Sequence, residues 1–115
     1  MEVSIKRVYQ PAVDADGFRV LVDRLWPRGI SKEHARANIW LKEVGPSNEL
    51  RKWFNHEPEK WGQFRERYQL ELRDNPAFRQ LQEIVQEQEK VTLVYSAHDE
   101  TMNQAVVLRE MLVAN

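Results

Sequence analysis

The chain has 115 residues and no cysteine. That absence excludes disulfides, thiol catalysis and thiolate metal sites. Charge of one sign is not in surplus either. Seventeen Lys and Arg against eighteen Asp and Glu leave a formal net charge of −1. No general attraction to nucleic acid or to an anionic membrane follows from that balance. Long apolar runs are missing as well. No stretch approaches the length of a membrane span, and the opening Met-Glu-Val-Ser-Ile-Lys-Arg carries no apolar region of the signal-peptide kind. A soluble, cytoplasmic protein without a membrane partner is the expectation. No repeat, low-complexity tract or linker divides the sequence, so residues 1–115 are read as one domain. A domain of that length buries roughly 65% of the surface its unfolded chain exposes.

The apolar residues that are present include four tryptophans, heavy anchors for so small a core. The most informative stretch is Arg19-Val-Leu-Val-Asp-Arg-Leu-Trp-Pro-Arg-Gly29. In a strand, Phe18, Val20 and Val22 line one face and Leu21 the other, which predicts a strand covered on both sides. The run ends abruptly in Asp23, Arg24 and Arg28 around Trp26 and Pro27. In open α/β sheets ligands bind at that carboxyl end of the strands.

Around it, Val3 to Tyr9 reads as a first strand, closed by Pro11. The link from Gln10 to Gly17 is short for a helical crossover, so the orientation of the first two strands stays open. Ser31 N-caps a short helix to about Asn38, and Ser47 caps a second, with Leu50, Trp53 and Phe54 on its apolar face. Pro58 suits the first position of a third helix, whose stripe is Trp61, Phe64, Tyr68 and Leu72. Asn75-Pro76 starts a fourth, with Phe78, Leu81 and Val85 inward. Val91 to Tyr95 is another apolar strand. A last helix begins near Thr101, which stands in capping-box spacing with Gln104. The fold expected is α/β: a small sheet of about three strands, at least two parallel, with helices packed on both faces. The long helical connection between Arg24 and Val91 suits a right-handed parallel crossover.

Val20-Leu-Val-Asp-Arg-Leu-Trp-Pro-Arg-Gly29, with Ser31-Lys32 after it, resembles the signature of the YeaO-like proteins, a branch of the larger family called domain of unknown function 488. Leu50-Arg-Lys-Trp-Phe54, His56, Trp61, Phe64, Tyr68, Glu71-Leu72, Leu93-Val-Tyr-Ser-Ala97, Asn103, Ala105 and Leu108 fit in the same order. The resemblance covers nearly the whole chain and implies no reaction. Other branches place cysteines where this chain resembles them with Ser96 and Asn103. YeaO-like proteins often carry His after that Asn, where this chain has Gln104.

The residues themselves point to anion binding. Parallel, adjacent strands at 18–23 and 91–95 would bring Asp23, Arg24 and Arg28 near Ser96. A helix starting near Thr101 would turn free backbone N–H groups to the same crevice. Arginine forks take phosphate or carboxylate. Asp23 would orient Arg28 or hold a ligand hydroxyl, and Asn103 and Ser96 would add neutral hydrogen bonds. The plainer alternative makes Asp23 and the arginines structural ion pairs. The loop Ser96–Thr101 has no glycine, so it is neither a P-loop nor a dinucleotide fingerprint, and its two acids oppose a phosphate. No cofactor or metal is called for: His34, His56 and His98 share no ligand spacing. Ser96, His56 and Asp23 are the residue types of a hydrolytic triad, but no nucleophile-elbow glycines surround Ser96. A nucleic-acid or regulatory module is the competing class. The helices joined at His56-Glu57-Pro58 superficially suit a helix-turn-helix, yet Glu59, Glu66 and Glu71 interleave with Lys60, Arg65 and Arg67.

Overall fold

In the computed structural model, which describes residues 2–114, four strands form one parallel sheet. They are β1 (Glu2–Arg7), β2 (Phe18–Leu21), β3 (Ile39–Trp40) and β4 (Lys90–Tyr95), in the order β1-β4-β2-β3. The helices are α1 (Lys32–Ala35), α2 (Asn48–Phe54), α3 (Trp61–Arg73), α4 (Pro76–Glu87) and α5 (Gln104–Val113). No described helix is long and apolar enough to cross a membrane.

The sheet has one strand more than the sequence implied. β3 is two residues long and pairs only through Val20–Ile39 and Leu21–Trp40. Two residues carry no periodicity to read. The orientation of the first two strands is now clear. Both run parallel to β4, which lies between them. The short connection between them carries a single 3₁₀ turn (Asp14–Asp16) that crosses beneath β4, where Thr92 Oγ1 donates to the Asp16 carbonyl at 2.7 Å.

The two faces of β2 separate as its alternation requires. Val20, Val22 and the half-buried Phe18 join the larger core, with Leu93 and Tyr95 from β4 and the apolar stripes of α2 to α5. Leu21 joins Val94, Val8 and Ala35 on the opposite face, where Trp26, Ile30 and Ala37 pack. Helices thus cover both faces unequally. The four longer ones share one side, and the single turn of α1 lies on the other. Beside it Arg19 is buried, donating to the Ala35 carbonyl and to Asp16. Burial pushes the Asp16 carboxyl up, but the Val13 N–H, Lys6 and Arg19 outweigh it and hold the group below its ordinary range.

The caps read from sequence hold at Ser31, Ser47 and Asn75, whose side chains accept from His34, Leu50 and Ala77 N–H groups. α1 ends sooner than expected because Arg36 takes the left-handed conformation, φ 46°. α5 begins later than expected. Its cap is Asn103, whose side chain accepts the Val106 N–H, and not Thr101.

Candidate functional site

A cavity of about 530 Å³ opens at the carboxyl ends of β2 and β4. These strands are neighbours whose continuations part. After β2 the chain turns to the face of Trp26 and Ile30; after β4 it turns to the opposite face and enters α5. Such a parting leaves a crevice between the two loops, the switch point where α/β sheets bind ligands.

Asp23 sits on its floor. One carboxylate oxygen accepts the Ser96 N–H at 3.0 Å and the other accepts the Gln104 side-chain amide. The residue is 6% exposed, and burial raises the carboxyl above its ordinary range, partly offset by the donors from Ser96 and Gln104. Its carbonyl takes the Trp40 indole N–H at 2.7 Å, so β3 helps to hold it.

The loop after β4 is held by side chains at both ends. Arg7 reaches across from the end of β1, its Nε donating to the Ala97 carbonyl at 2.8 Å and its Nη2 to that of Ser96 at 3.2 Å. The Arg7–Tyr95 register places it there, but only once the parallel pairing is known. Asp99 Oδ1 accepts the Thr101 N–H, the Thr101 hydroxyl and the Met102 N–H, each at 2.9 Å. Those bonds hold its carboxyl below the ordinary range despite some desolvation. Asp99, one of the two loop acids that would oppose a phosphate, thus commits one carboxylate oxygen to its own loop while still lining the cavity, and it consumes two N–H groups expected to face the crevice.

Of the residues expected at the site, Asp23, Arg24, Arg28, Ser96 and Asn103 line the cavity. Thr101 does not; it is exposed and turned to Asp99. Arg24 lines the cavity with its donors committed, Nε to the Pro46 carbonyl and Nη2 to that of Gly45, both at 2.8 Å, with Glu43 at 3.4 Å. Asn103 is occupied as the helix cap and by a bond to the Asp99 carbonyl. Arg28 is exposed at the mouth, anchored through its own carbonyl by the Tyr9 hydroxyl at 3.0 Å, and its guanidinium makes no hydrogen bond among the described residues.

Sequence reasoning missed Arg51, a second exposed guanidinium on the cavity wall, whose one side-chain hydrogen bond among the described residues is to Asn48 in its own helix. Nothing in the periodicity of α2 distinguishes it from other exposed positions. The walls between carry apolar side chains, Leu25, Trp26, Pro27, Phe54 and Met102, with His98 and Asp99 among the polar ones. Trp26 is fixed by an edge contact with Trp40, centroids 5.3 Å apart, and by its N–H to the Ile30 carbonyl. His56 completes the wall from a strained loop: Asn55 and His56 both have positive φ, 48° and 57°.

The residues of the other readings fall differently. Asp23 meets the Ser96 backbone, and no hydrogen bond links His56 to either residue, so a relay is not assembled. Among the described residues, no three of His, Asp and Glu gather in a way that could hold a metal ion. In the α2–α3 corner, Lys60 and Arg67 lie over the Trp53 ring and Arg65 pairs with Glu110.

The chain is 44% identical over 112 residues to the uncharacterized protein YeaO of Escherichia coli K12, covering 97% of each. It is 43% identical over 110 residues to an uncharacterized protein of Mycobacterium tuberculosis, covering 96% of this chain and 92% of that one. No solved structure matches it. A family described as the inactive DUF488-N3 subclade matches residues 2–115. The resemblance read from the motif at 20–29 thus holds along the chain, which belongs to the inactive DUF488-N3 subclade.

Proposed function

We propose that this protein binds a small ligand bearing phosphate or carboxylate, without turning it over, in the cavity at the carboxyl ends of β2 and β4. The observation that carries this reading is the pair of exposed guanidinium groups on the cavity wall, beside apolar side chains such as Trp26, Pro27 and Phe54: among the described residues Arg28 makes no side-chain hydrogen bond and Arg51 bonds only Asn48 of its own helix. Arginine forks bind such anions in a bidentate way, and apolar walls strengthen the interaction by excluding water. Ser96, where other branches resembled by the chain place cysteine, presents its N–H to Asp23 and its carbonyl to Arg7, which suits a structural role. The subclade's description as inactive agrees with binding rather than catalysis.

The test is thermal unfolding with phosphate- and carboxylate-bearing compounds. At a hundredfold excess over the dissociation constant a ligand adds about 2.7 kcal/mol, which raises the Tm of a domain this size by about 10 °C. That rise should disappear in Arg28→Ala and shrink in Arg51→Ala. An equal rise in Arg28→Ala would place the anion elsewhere.

A further inference from the structure

Asp23 is a buried carboxyl group that no cation of the chain neutralises. Among the described residues it takes part in no ion pair, and its partners are neutral donors, the N–H and side chain of Ser96 and the Gln104 amide. Arg24, its sequence neighbour, turns away to the Gly45 and Pro46 carbonyls. The expectation that Asp23 orients Arg28 is not met, since no hydrogen bond joins them.

The same chain shows what a compensated buried aspartate looks like. Asp16 is 7% exposed against 6% for Asp23, yet it holds Lys6 at 3.1 Å and Arg19 at 2.6 Å. Asp16 is closed into the sheet's second face. Asp23 opens onto the cavity. A carboxylate offers about four acceptor positions, and the neutral donors of Ser96 and Gln104 do not fill them all. Leaving a buried charge without a partner is costly, so the cavity floor favours whatever supplies the missing cation.

We infer that the ligand is a zwitterion, with a protonated amine on Asp23 at the cavity floor and a phosphate or carboxylate at Arg28 and Arg51. This rests on the anion-binding reading above and adds the charge at the other end of the ligand. The spacer between the two charges runs past Trp26, Pro27 and Phe54, side chains that offer it apolar contact. Gln104 contributes by fixing the Asp23 carboxylate with its Nε2, so the amine meets an oriented acceptor.

The experiment is calorimetric titration at neutral pH with ω-aminoalkylphosphonates, ethyl to hexyl, each beside the plain alkylphosphonate of the same length. Parent, Asp23→Asn and Arg28→Ala are compared. A charge-assisted hydrogen bond at a desolvated site makes the best amino compound about tenfold tighter or more than its alkyl partner in the parent. In Asp23→Asn that advantage should vanish, the amino compound and its alkyl partner binding alike. In Arg28→Ala both should weaken together. Equal binding of amino and alkyl compounds by the parent overturns the amine and leaves the anion site standing. A preference that survives in Asp23→Asn overturns the role of Asp23. If no phosphonate of either kind binds, the anion reading falls and the zwitterion with it. The parent comparison decides the matter even where Asp23→Asn fails to fold.

Discussion

The Asp23 carboxylate accepts the Ser96 N–H at 3.0 Å, a bond spanning 73 residues that ties the ends of β2 and β4 together beneath the cavity. With the Gln104 amide on its other oxygen, one side chain fixes the strand end, the loop after β4 and the first turn of α5. Asparagine can keep most of this, because its oxygen accepts one donor and Gln104 can rotate its own amide to accept from the new nitrogen. Alanine keeps none of it. Asp23→Ala should therefore be less stable than Asp23→Asn by about 1–3 kcal/mol, the cost of stranding buried donors. Urea unfolding of the two variants measures the difference; equal midpoints would mean that water enters and satisfies the orphaned groups.

Asp23 and Asp16 should act on stability with opposite signs as pH changes. Burial raises the Asp23 carboxyl above its ordinary value of 3.8, so between that value and its folded one the native state holds more protons than the unfolded chain. Stability contributed there falls as pH rises through the window. Asp16 is held below 3.8 despite burial, so its contribution is present above 3.8 and is lost as pH falls through the folded value. The stability difference between Asp23→Asn and the parent should accordingly shift in favour of the variant as pH rises from 3.8 through the folded value of Asp23, then level off. Urea midpoints across that range give the slope, and a difference that moves the other way would show the carboxylate to be stabilised in place.

Much of this arrangement was legible in the sequence, and what was not has physical causes. The alternation of Val20, Leu21 and Val22 gave the faces of β2, and the caps at Ser31, Ser47 and Asn75 gave three helix starts, because each signal lies within one turn or one pleat. β3 was invisible because its two residues are held by β2 rather than by their own pattern. The start of α5 was misplaced because Thr101 and Asn103 both carry capping oxygens, and only the Asp99 turn, which claims Thr101, decides between them. At the site, the charge cluster after β2 was visible as composition. Its division into a committed Arg24, a free Arg28 and an unpaired Asp23 depends on carbonyls at 45 and 46 that only the fold brings near.

Arg7 illustrates the same point and gives a further prediction. Its fork binds two successive carbonyls, Ser96 and Ala97, and a lysine ammonium cannot reproduce that planar geometry. Arg7→Ala should cost about 1.5–3 kcal/mol, since these are bonds from a charged donor, and Arg7→Lys should recover only part of it. Amide exchange at residues 96–99 should quicken in both variants more than exchange in the centre of β4. Uniform acceleration along β4 would instead mean that Arg7 supports the sheet and not the loop.

Gly17 and Gly29 share a positive φ but stand in different surroundings, and alanine at each separates two costs. Gly17 has φ +68°, and a Cβ there would lie 2.5 Å from the Lys90 carbonyl oxygen and 2.7–2.8 Å from the Lys90 side chain. The tight approach exists because the 3₁₀ turn before β2 passes against the start of β4, where Asp16 receives Thr92. Gly29 has φ +77° with nothing within 4 Å of the added atom. Gly29→Ala therefore meets only the backbone penalty, about 1–2 kcal/mol. Gly17→Ala meets that penalty and a clash with a backbone atom that cannot retreat without moving β4, so its cost should exceed that of Gly29→Ala by about 1–3 kcal/mol. Gly29 follows Arg28 directly, so its variant should also disturb the cavity mouth: anion binding weakens while the global midpoint falls only by the backbone penalty. Gly17→Ala should show the reverse, a large loss of stability with binding retained in whatever fraction stays folded. Equal destabilisation of the two variants in urea would remove the steric argument at Gly17.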